Sequence, residues 1–247
     1  DGNAFGLKTE KLYEILDLIA YYFPECEGIN MDATVTSILH KSQEELEMLA
    51  RKKVKHLYLG IESGLDDVLK FMKKDHDLAQ AYQAIDRLHE AGLIYDAHIM
   101  TGVAGKGRGM ENAEALAQFL NRTNPAHVVN FSMFLHKEVP LYQDIRQGTF
   151  VPADELETIR EEYHLIERIA PEKAGANILY DGFHDFIHVR VRGHLPGDKE
   201  KMLAKLNGII QEYEGKEPVY SFVQGECPDL EYCDDGKAVW DMDRKTS

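Results

Sequence analysis

Three side chains that can exchange protons lie on or at the ends of predicted strands. Asp32 and Glu62 each follow a short apolar stretch, and His98 lies within another. In α/β folds the carboxyl ends of parallel strands are where ligands bind. Carboxylate and imidazole groups are also the usual general acids and bases. One interpretation of the chain is therefore a β/α-barrel enzyme that uses Glu62, Asp32 and His98 for acid–base chemistry.

The stretch from 57 to 67 positions Glu62. Residues 57–61 are bulky and mostly apolar, which predicts a strand covered on both faces, as in a parallel sheet. Glu62 and Ser63 follow at once, so they are predicted at the rim of the sheet. The alternative is that both residues merely cap the next helix, which already has Asp66 and Asp67 in its first turn.

The rest of the chain repeats the alternation of strand and helix. Strands are predicted at 28–33, near 59, at 95–101 and at 127–135. Helices begin at Thr9, Ser42 and Asp77, and Ser42 and Glu45 have the spacing of a capping box. Strands that alternate with helices indicate βαβ units and a parallel sheet, wound right-handedly into a barrel or part of one.

The pattern changes after Pro140. A long helix is predicted from 151–154 onward, with its inward stripe at Leu156, Ile159, Tyr163 and Ile166. Two short strands, 176–180 and 187–191, are predicted on either side of a polar turn. We therefore expect an α/β fold with a partial parallel barrel over residues 1–150 and an α+β extension over 151–247.

Composition narrows the function. The chain has 247 residues and a formal net charge of −15, from 43 acidic and 28 basic residues. Nucleic-acid binding over a broad surface needs clustered Lys and Arg, so it is not expected here. No apolar run approaches the roughly 20 residues that span a bilayer. Three cysteines, Cys26, Cys227 and Cys233, are too few and too scattered for a disulfide framework and favour a reducing cytoplasm.

The sequence gives little support to a phosphate-binding loop, a metal site or a hydrolase active site. The glycine-rich loop 102–109 fits neither the Walker pattern nor Gly-x-Gly-x-x-Gly. His184 and His188 are four residues apart, but in a strand that separation is about 13 Å, so no metal site is expected. No Gly-x-Ser-x-Gly sequence is present for a hydrolase.

Four stretches together resemble the radical S-adenosylmethionine (SAM) superfamily. Residues 57–74, LYLGIESGLDDVLKFMKK, closely resemble its fourth strand and the helix that follows. Residues 1–3 are similar to its "GGE" turn, residues 98–105 to its fifth strand and residues 131–134 to its sixth. The wording of strands four and five is nearest to oxygen-independent coproporphyrinogen oxidase-like Fe–S oxidoreductases. The resemblance covers about residues 1–150 and implies that strands three to six of the barrel are retained.

The resemblance also implies a set of SAM-facing residues, each by its position in these stretches. It assigns no catalytic residue and no metal ligand within the chain. The implied SAM-binding residues are Gly2, Asn3, Asp32, Glu62, Ser63, His98, Met100, Gly102 and Phe134.

The family's cofactors are SAM and a [4Fe–4S] cluster held by a Cys-x3-Cys-x2-Cys motif. This chain lacks that motif, so the resemblance implies the C-terminal part of a longer cytoplasmic enzyme, inactive by itself and without a tightly bound cofactor. The parent would cleave SAM reductively to start radical chemistry on an unknown substrate. It would take electrons from a flavodoxin- or ferredoxin-type donor.

The resemblance has a consequence for assembly. A truncated sheet would expose the edge of the 28–33 strand, where self-association is expected. The alternatives to the radical SAM interpretation are the cluster-free acid–base barrel and a non-enzymatic acidic binding module.

Overall fold

The computed structural model describes residues 3–222, 229–232 and 238–241. The helices are α1 Thr9–Tyr22, α2 Val35–Leu39, α3 Gln43–Arg51, α4 Asp66–Phe71, α5 Leu78–Glu90, α6 Gly109–Thr123, α7 Leu141–Arg146, α8 Glu155–Arg168 and α9 Lys199–Tyr213. The strands are β1 Ile29–Ala33, β2 Val54–Glu62, β3 Ile94–Thr101, β4 His127–Ser132, β5 Ile178–His184, β6 Val189–Leu195, β7 Asp229–Tyr232 and β8 Ala238–Asp241. Short 3₁₀ helices cover Ala4–Gly6 and Asp185–Ile187.

Six strands form one sheet in the order of the chain, β1 to β6. The first five are parallel and β6 is antiparallel to β5. Within the described residues the sheet does not close on itself, which confirms the predicted α/β fold with an incomplete parallel barrel. Among the described residues β1 lies at one edge, and self-association at that edge stays a prediction.

Local sequence signals set the helix starts. Ser42 and Glu45 form the expected capping box, in which Glu45 N–H donates to Ser42 Oγ and Glu45 Oε2 accepts from Ser42 N–H. Asp77 and Gln80 form a second one at the start of α5. Each box satisfies backbone N–H groups that the first helical turn leaves without partners.

The region after Pro140 differs from its sequence prediction. The β5 strand runs through the segment that was predicted as a polar turn, and the chain reverses at the 3₁₀ helix Asp185–Ile187. Polar residues such as Asp181 and His184 can lie in a buried strand because each has a charged partner. β5 and β6 belong to the main sheet, so this one sheet contains strands from both sides of residue 150. The division of the chain at that residue stays a prediction.

The two faces of the sheet have different environments. On one face the helices bury apolar side chains such as Leu59 and Ile99 completely. The other face, called here the open face, carries the side chains of Asp32, Tyr58, His98, Phe131 and Phe183. A second apolar cluster, which includes Val103, Leu135 and Phe150, lies over the loops that follow the strands. In the described ranges no helix is long and apolar enough to span a bilayer.

Candidate functional site

A row of rings crosses the open face on four neighbouring strands. Tyr58 and His98 are stacked with their centroids 5.7 Å apart, and His98 meets Phe131 edge-on at 6.2 Å. Phe131 and Phe183, which are paired in the β4–β5 register, are stacked with their centroids 5.6 Å apart. The Arg190 guanidinium lies 4.7 Å from the Phe183 centroid. Aromatic pairs of this kind contribute packing energy and leave a flat surface on which another ring can lie.

Charged groups lie beside this row, nearer the N-terminal ends of the strands. His56 Nδ1 lies 2.8 Å from Asp96 Oδ2, and Arg190 holds both oxygens of Asp181 at 2.8 and 2.6 Å. Asp96 Oδ1 and His127 Nε2 are buried without a hydrogen-bonding partner. Burial lowers the pKa of His127, although Asp96 and Asp181 partly oppose that shift. Buried polar atoms without partners are uncommon in folded proteins, so this part of the open face can take up a polar ligand or water.

Glu62 lies at the C-terminal end of β2, at the rim predicted from sequence. It has a φ of +61°, and the β2–β3 register shifts between Gly60 and Glu62. Its carboxylate folds back over Gly60, because Oε1 would lie 2.6 Å from a Cβ on that glycine. Lys74 Nζ lies 3.2 Å from Oε1, and 24% of the Glu62 side chain is exposed. A left-handed glutamate is strained by about 1 kcal/mol or more, and such strain concentrates at functional sites.

Ser63 points in the opposite direction to Glu62. It is completely buried, and its hydroxyl donates to Asn112 Oδ1 at 2.6 Å and accepts from Leu65 N–H at 3.1 Å. Gly64 follows it against α6, where a Cβ would lie 2.5 Å from the helix backbone. The structure therefore places Ser63 behind the rim rather than on the open face. Its role as a SAM contact stays a prediction, and its burial counts against it.

Gly102 begins the turn after β3 and also faces inward. It has a φ of +82°, and its N–H donates to Glu161 Oε2 at 2.8 Å. The other Glu161 oxygen accepts from Asn112 Nδ2 at 2.7 Å. Burial raises the pKa of Glu161 to about 7, although these two hydrogen bonds oppose the shift. Glu161 thus joins the turn after β3 to the turn after β2 from the helix side of the sheet.

A second buried polar group lies nearby under the same helix. His184 Nδ1 lies 2.9 Å from Glu155 Oε2, and its Nε2 lies 3.1 Å from Glu162 Oε2. Glu162 Oε1 also accepts from Tyr180 Oη at 3.0 Å and Asn130 Nδ2 at 3.1 Å. These contacts satisfy the side chains within the fold, so this cluster is structural rather than a ligand site.

The other residues predicted from the resemblance are scattered around the rim. Asn3 uses its side chain within the protein, since Nδ2 donates to Thr34 Oγ1 at 3.1 Å and Oδ1 accepts from Gly6 N–H at 2.9 Å. Asp32 is exposed on β1, Met100 packs against the second apolar cluster, and Phe134 is 56% exposed. Gly2 lies outside the described residues. Asp32, Glu62 and His98 therefore lie on or over the open face, whereas Ser63 and Gly102 do not.

Sequence reasoning missed the acidic residues of α8. The predicted inward stripe began at Leu156, whereas the buried residues are Glu155, Thr158, Ile159, Glu161, Glu162, Leu165 and Ile166. A signal was present, because Glu155 and Glu162 lie on one helical stripe with Ile159 and Ile166 at spacings of three and four. Acidic residues on an apolar stripe indicate buried partners elsewhere in the chain.

The described residues do not fit a [4Fe–4S] cluster, which needs several thiolates close together. Cys26 is the cysteine within the described ranges, and its Sγ is 3.4 Å from Gly28 O. Cys227 and Cys233 lie outside those ranges. The described part of the chain also has no group of three or more His, Cys, Asp or Glu side chains arranged to hold a metal ion.

Comparison with known proteins shows which family the first half of the chain is similar to. Residues 4–120 match the family model described as the radical SAM superfamily. A curated relative, the tRNA uridine(34) acetyltransferase of Methanocaldococcus infernus, is 25% identical over 119 residues, which are 48% of this chain and 22% of the relative. The chain therefore matches about a fifth of that relative's length.

Two solved structures are similar to part of this chain. Elp3 of Methanocaldococcus infernus, with residues 1–46 deleted, has a TM-score of 0.56 and 18% identity, over 70% of this chain and 44% of that one. Coproporphyrinogen III oxidase from Escherichia coli has a TM-score of 0.44 and 14% identity, over 77% of this chain and 50% of that one. The open parallel sheet and the match over residues 4–120, just under half of the chain, agree: this part of the chain is similar to the radical SAM superfamily.

Proposed function

We propose that the open face and its rim bind the adenosyl part of SAM in a radical SAM enzyme. The observation that carries this proposal is Glu62, whose carboxylate lies over the open face in a strained backbone conformation at the end of a parallel strand. The whole enzyme would cleave SAM reductively and begin radical chemistry on a substrate. Its oxidoreductase activity and cytoplasmic location belong to the same proposal.

Different residues of the chain would contact the ribose and the adenine of SAM. The carboxylates of Glu62 and Asp32 accept hydrogen bonds from ribose hydroxyls, and Lys74 holds the Glu62 carboxylate in place at 3.2 Å. The partly exposed rings of His98 and Phe131 offer a surface for the adenine ring. In this family the cluster would supply the electron, and the amino and carboxylate groups of SAM would chelate one of its irons. Its thiolates, and the flavodoxin- or ferredoxin-type electron donor, would come from outside the described residues.

The substrate class is less constrained than the cofactor. The name of the curated relative gives uridine 34 of tRNA as its target. In this chain the net charge of −15 counts against a nucleic-acid substrate held by phosphate contacts. We therefore propose SAM as the ligand of this chain and do not propose tRNA as its substrate.

A titration of the chain with SAM tests the binding step. Without iron chelation we expect a dissociation constant of roughly 1 mM, about −4 kcal/mol, which chemical-shift changes can follow. Glu62→Gln, Asp32→Asn and His98→Ala should each weaken binding, whereas Glu90→Gln, at the far end of α5, should not. Equal binding by all four variants would contradict this site.

A second experiment tests the reaction. After anaerobic reconstitution with iron and sulfide, followed by dithionite and SAM, this chain should neither hold a cluster nor release 5′-deoxyadenosine. A longer protein that includes a Cys-x3-Cys-x2-Cys motif should do both. Release of 5′-deoxyadenosine by the chain alone would show that the cluster is held elsewhere than proposed.

A further inference from the structure

We propose that Glu161 is a positioning residue whose carboxylate, acting through Asn112, fixes the two turns of the rim, residues 62–65 and 102–105. This inference rests on the proposed function, because these turns border the proposed SAM site. Neither Glu161 nor Asn112 reaches the open face, so both would act on the ligand only through the turns.

The two turns meet at the Glu161 carboxylate. Oε2 accepts from Gly102 N–H at 2.8 Å, which fixes the start of the turn after β3. Oε1 accepts from Asn112 Nδ2 at 2.7 Å, and Asn112 lies on α6 between the turns. Glu161 and Asn112 are at most 1% exposed, so water does not compete for these bonds. Hydrogen bonds to a charged acceptor in such surroundings are among the stronger ones in proteins.

Asn112 links Glu161 to the turn after β2, and its hydrogen bonds fix which way its side-chain amide points. Its Oδ1 lies 3.2 Å from Gly64 N and 2.6 Å from Ser63 Oγ. A backbone N–H can only donate, so Oδ1 must face Gly64 and the amide NH₂ must face Glu161. Ser63 therefore donates its hydroxyl proton to Asn112 and is free to accept from Leu65 N–H. Every hydrogen bond in this series points toward Glu161.

The turn after β2 carries the residue that the proposed site needs. Ser63 directly follows Glu62, whose left-handed conformation is unfavourable by itself. Gly64 fits against α6 only without a side chain. The hydrogen bonds to Asn112 thus hold the peptide that follows Glu62, and with it the direction of the carboxylate on the open face.

The order of donors and acceptors in these hydrogen bonds can be tested with variants that keep the shape of each side chain. Glu161→Gln keeps an acceptor for Gly102 but turns an NH₂ group toward the Asn112 NH₂ group. Asn112→Asp keeps acceptors for Ser63 and Gly64 but turns a carboxylate toward Glu161. In the double variant donor and acceptor match again, because the new glutamine amide donates to the new aspartate carboxylate. That hydrogen bond runs in the reverse direction, while Gly102, Ser63 and Gly64 keep their acceptors. Glu167→Gln, an exposed residue of the same helix, is the control.

The readouts are SAM affinity and the amide chemical shifts of Gly64 and Gly102, measured at about pH 8, where the Glu161 carboxylate is charged. Each single variant should move both amide signals and weaken SAM binding by about tenfold, the effect of one misdirected hydrogen bond. The double variant should restore both to within about twofold of the starting protein, and the control should change neither.

Two outcomes would overturn the proposal: single variants that leave the Gly64 and Gly102 signals in place, or a double variant no better than the singles. If the single variants do not fold, the double variant tests the proposal. It should fold, because its donors and acceptors match again. If the unaltered chain binds no SAM, the proposed function fails while the amide signals still test the positioning by Glu161.

Discussion

His184 Nδ1 lies 2.9 Å from Glu155 Oε2 in a place where both side chains are at most 1% exposed. The other ring nitrogen lies 3.1 Å from Glu162 Oε2. Carboxylates only accept hydrogen bonds, so both ring nitrogens carry protons and the ring is an imidazolium. Burial would lower the pKa of His184, but the hydrogen bonds and charges of Glu155 and Glu162 outweigh it and raise the pKa to about 9.

This pKa predicts a loss of stability in mild alkali. Unfolded His184 titrates near 6.5 and the folded residue near 9, so the folded state holds the proton more tightly between these values. The stabilisation is complete below about pH 6.5 and is lost as the pH rises through 9, by about 3 kcal/mol in total. Urea unfolding at several pH values should show this slope in the unaltered protein. His184→Gln should be less stable at neutral pH and lack the slope, and an unchanged slope would exclude His184 as its source.

Gly182 leaves the space that the Glu162 carboxylate occupies. A Cβ at this position would overlap Glu162 Oε1. Gly182→Ala should therefore displace the carboxylate from His184 and Tyr180 and lower the free energy of unfolding by roughly 3 kcal/mol, as breaking a buried ion pair does. Gly208→Ala, in α9 with open space around the new methyl, should instead raise it by about 0.5–1 kcal/mol. Thermal unfolding compares the two variants, and equal stability would contradict this account.

The strain at Glu62 can be separated from its proposed binding role. Glycine adopts a positive φ without strain, whereas alanine does not. Glu62→Gly should therefore be more stable than Glu62→Ala by about 1 kcal/mol. Both variants lack the carboxylate, so both should lose SAM affinity to a similar extent. Chemical denaturation and SAM titration measure the two effects, and an alanine variant at least as stable as the glycine variant would show that the backbone relaxes.

The stacked pair Phe131 and Phe183 should couple energetically. Their centroids are 5.6 Å apart and their planes differ by 16°. Replacing each by Leu, singly and together, gives a double-mutant cycle with an expected coupling of about 1 kcal/mol in unfolding free energy. Additive effects would show that the Phe131 and Phe183 rings do not stabilise each other.

The sequence by itself determined the elements that depend on neighbouring residues. Ser42 and Asp77 lie within three residues of their capping partners, and both cap their helices as predicted. Short, mostly apolar runs placed Asp32, Glu62 and His98 on or at the ends of strands of one sheet, and the family's stretches were found in order. Such signals are local, because capping and apolar runs involve only a few neighbouring residues.

Only the tertiary structure decided what the acidic residues of α8 do and where Ser63 points. Ser63 and Asn112 are 49 residues apart, and Gly102 and Glu161 are 59 residues apart. No spacing within the chain indicates these pairs, since each forms only when α6 and α8 pack against the sheet. Glu161 looks like a solvated helix residue in the sequence, and its partners become visible only where burial leaves its charge no water to contact.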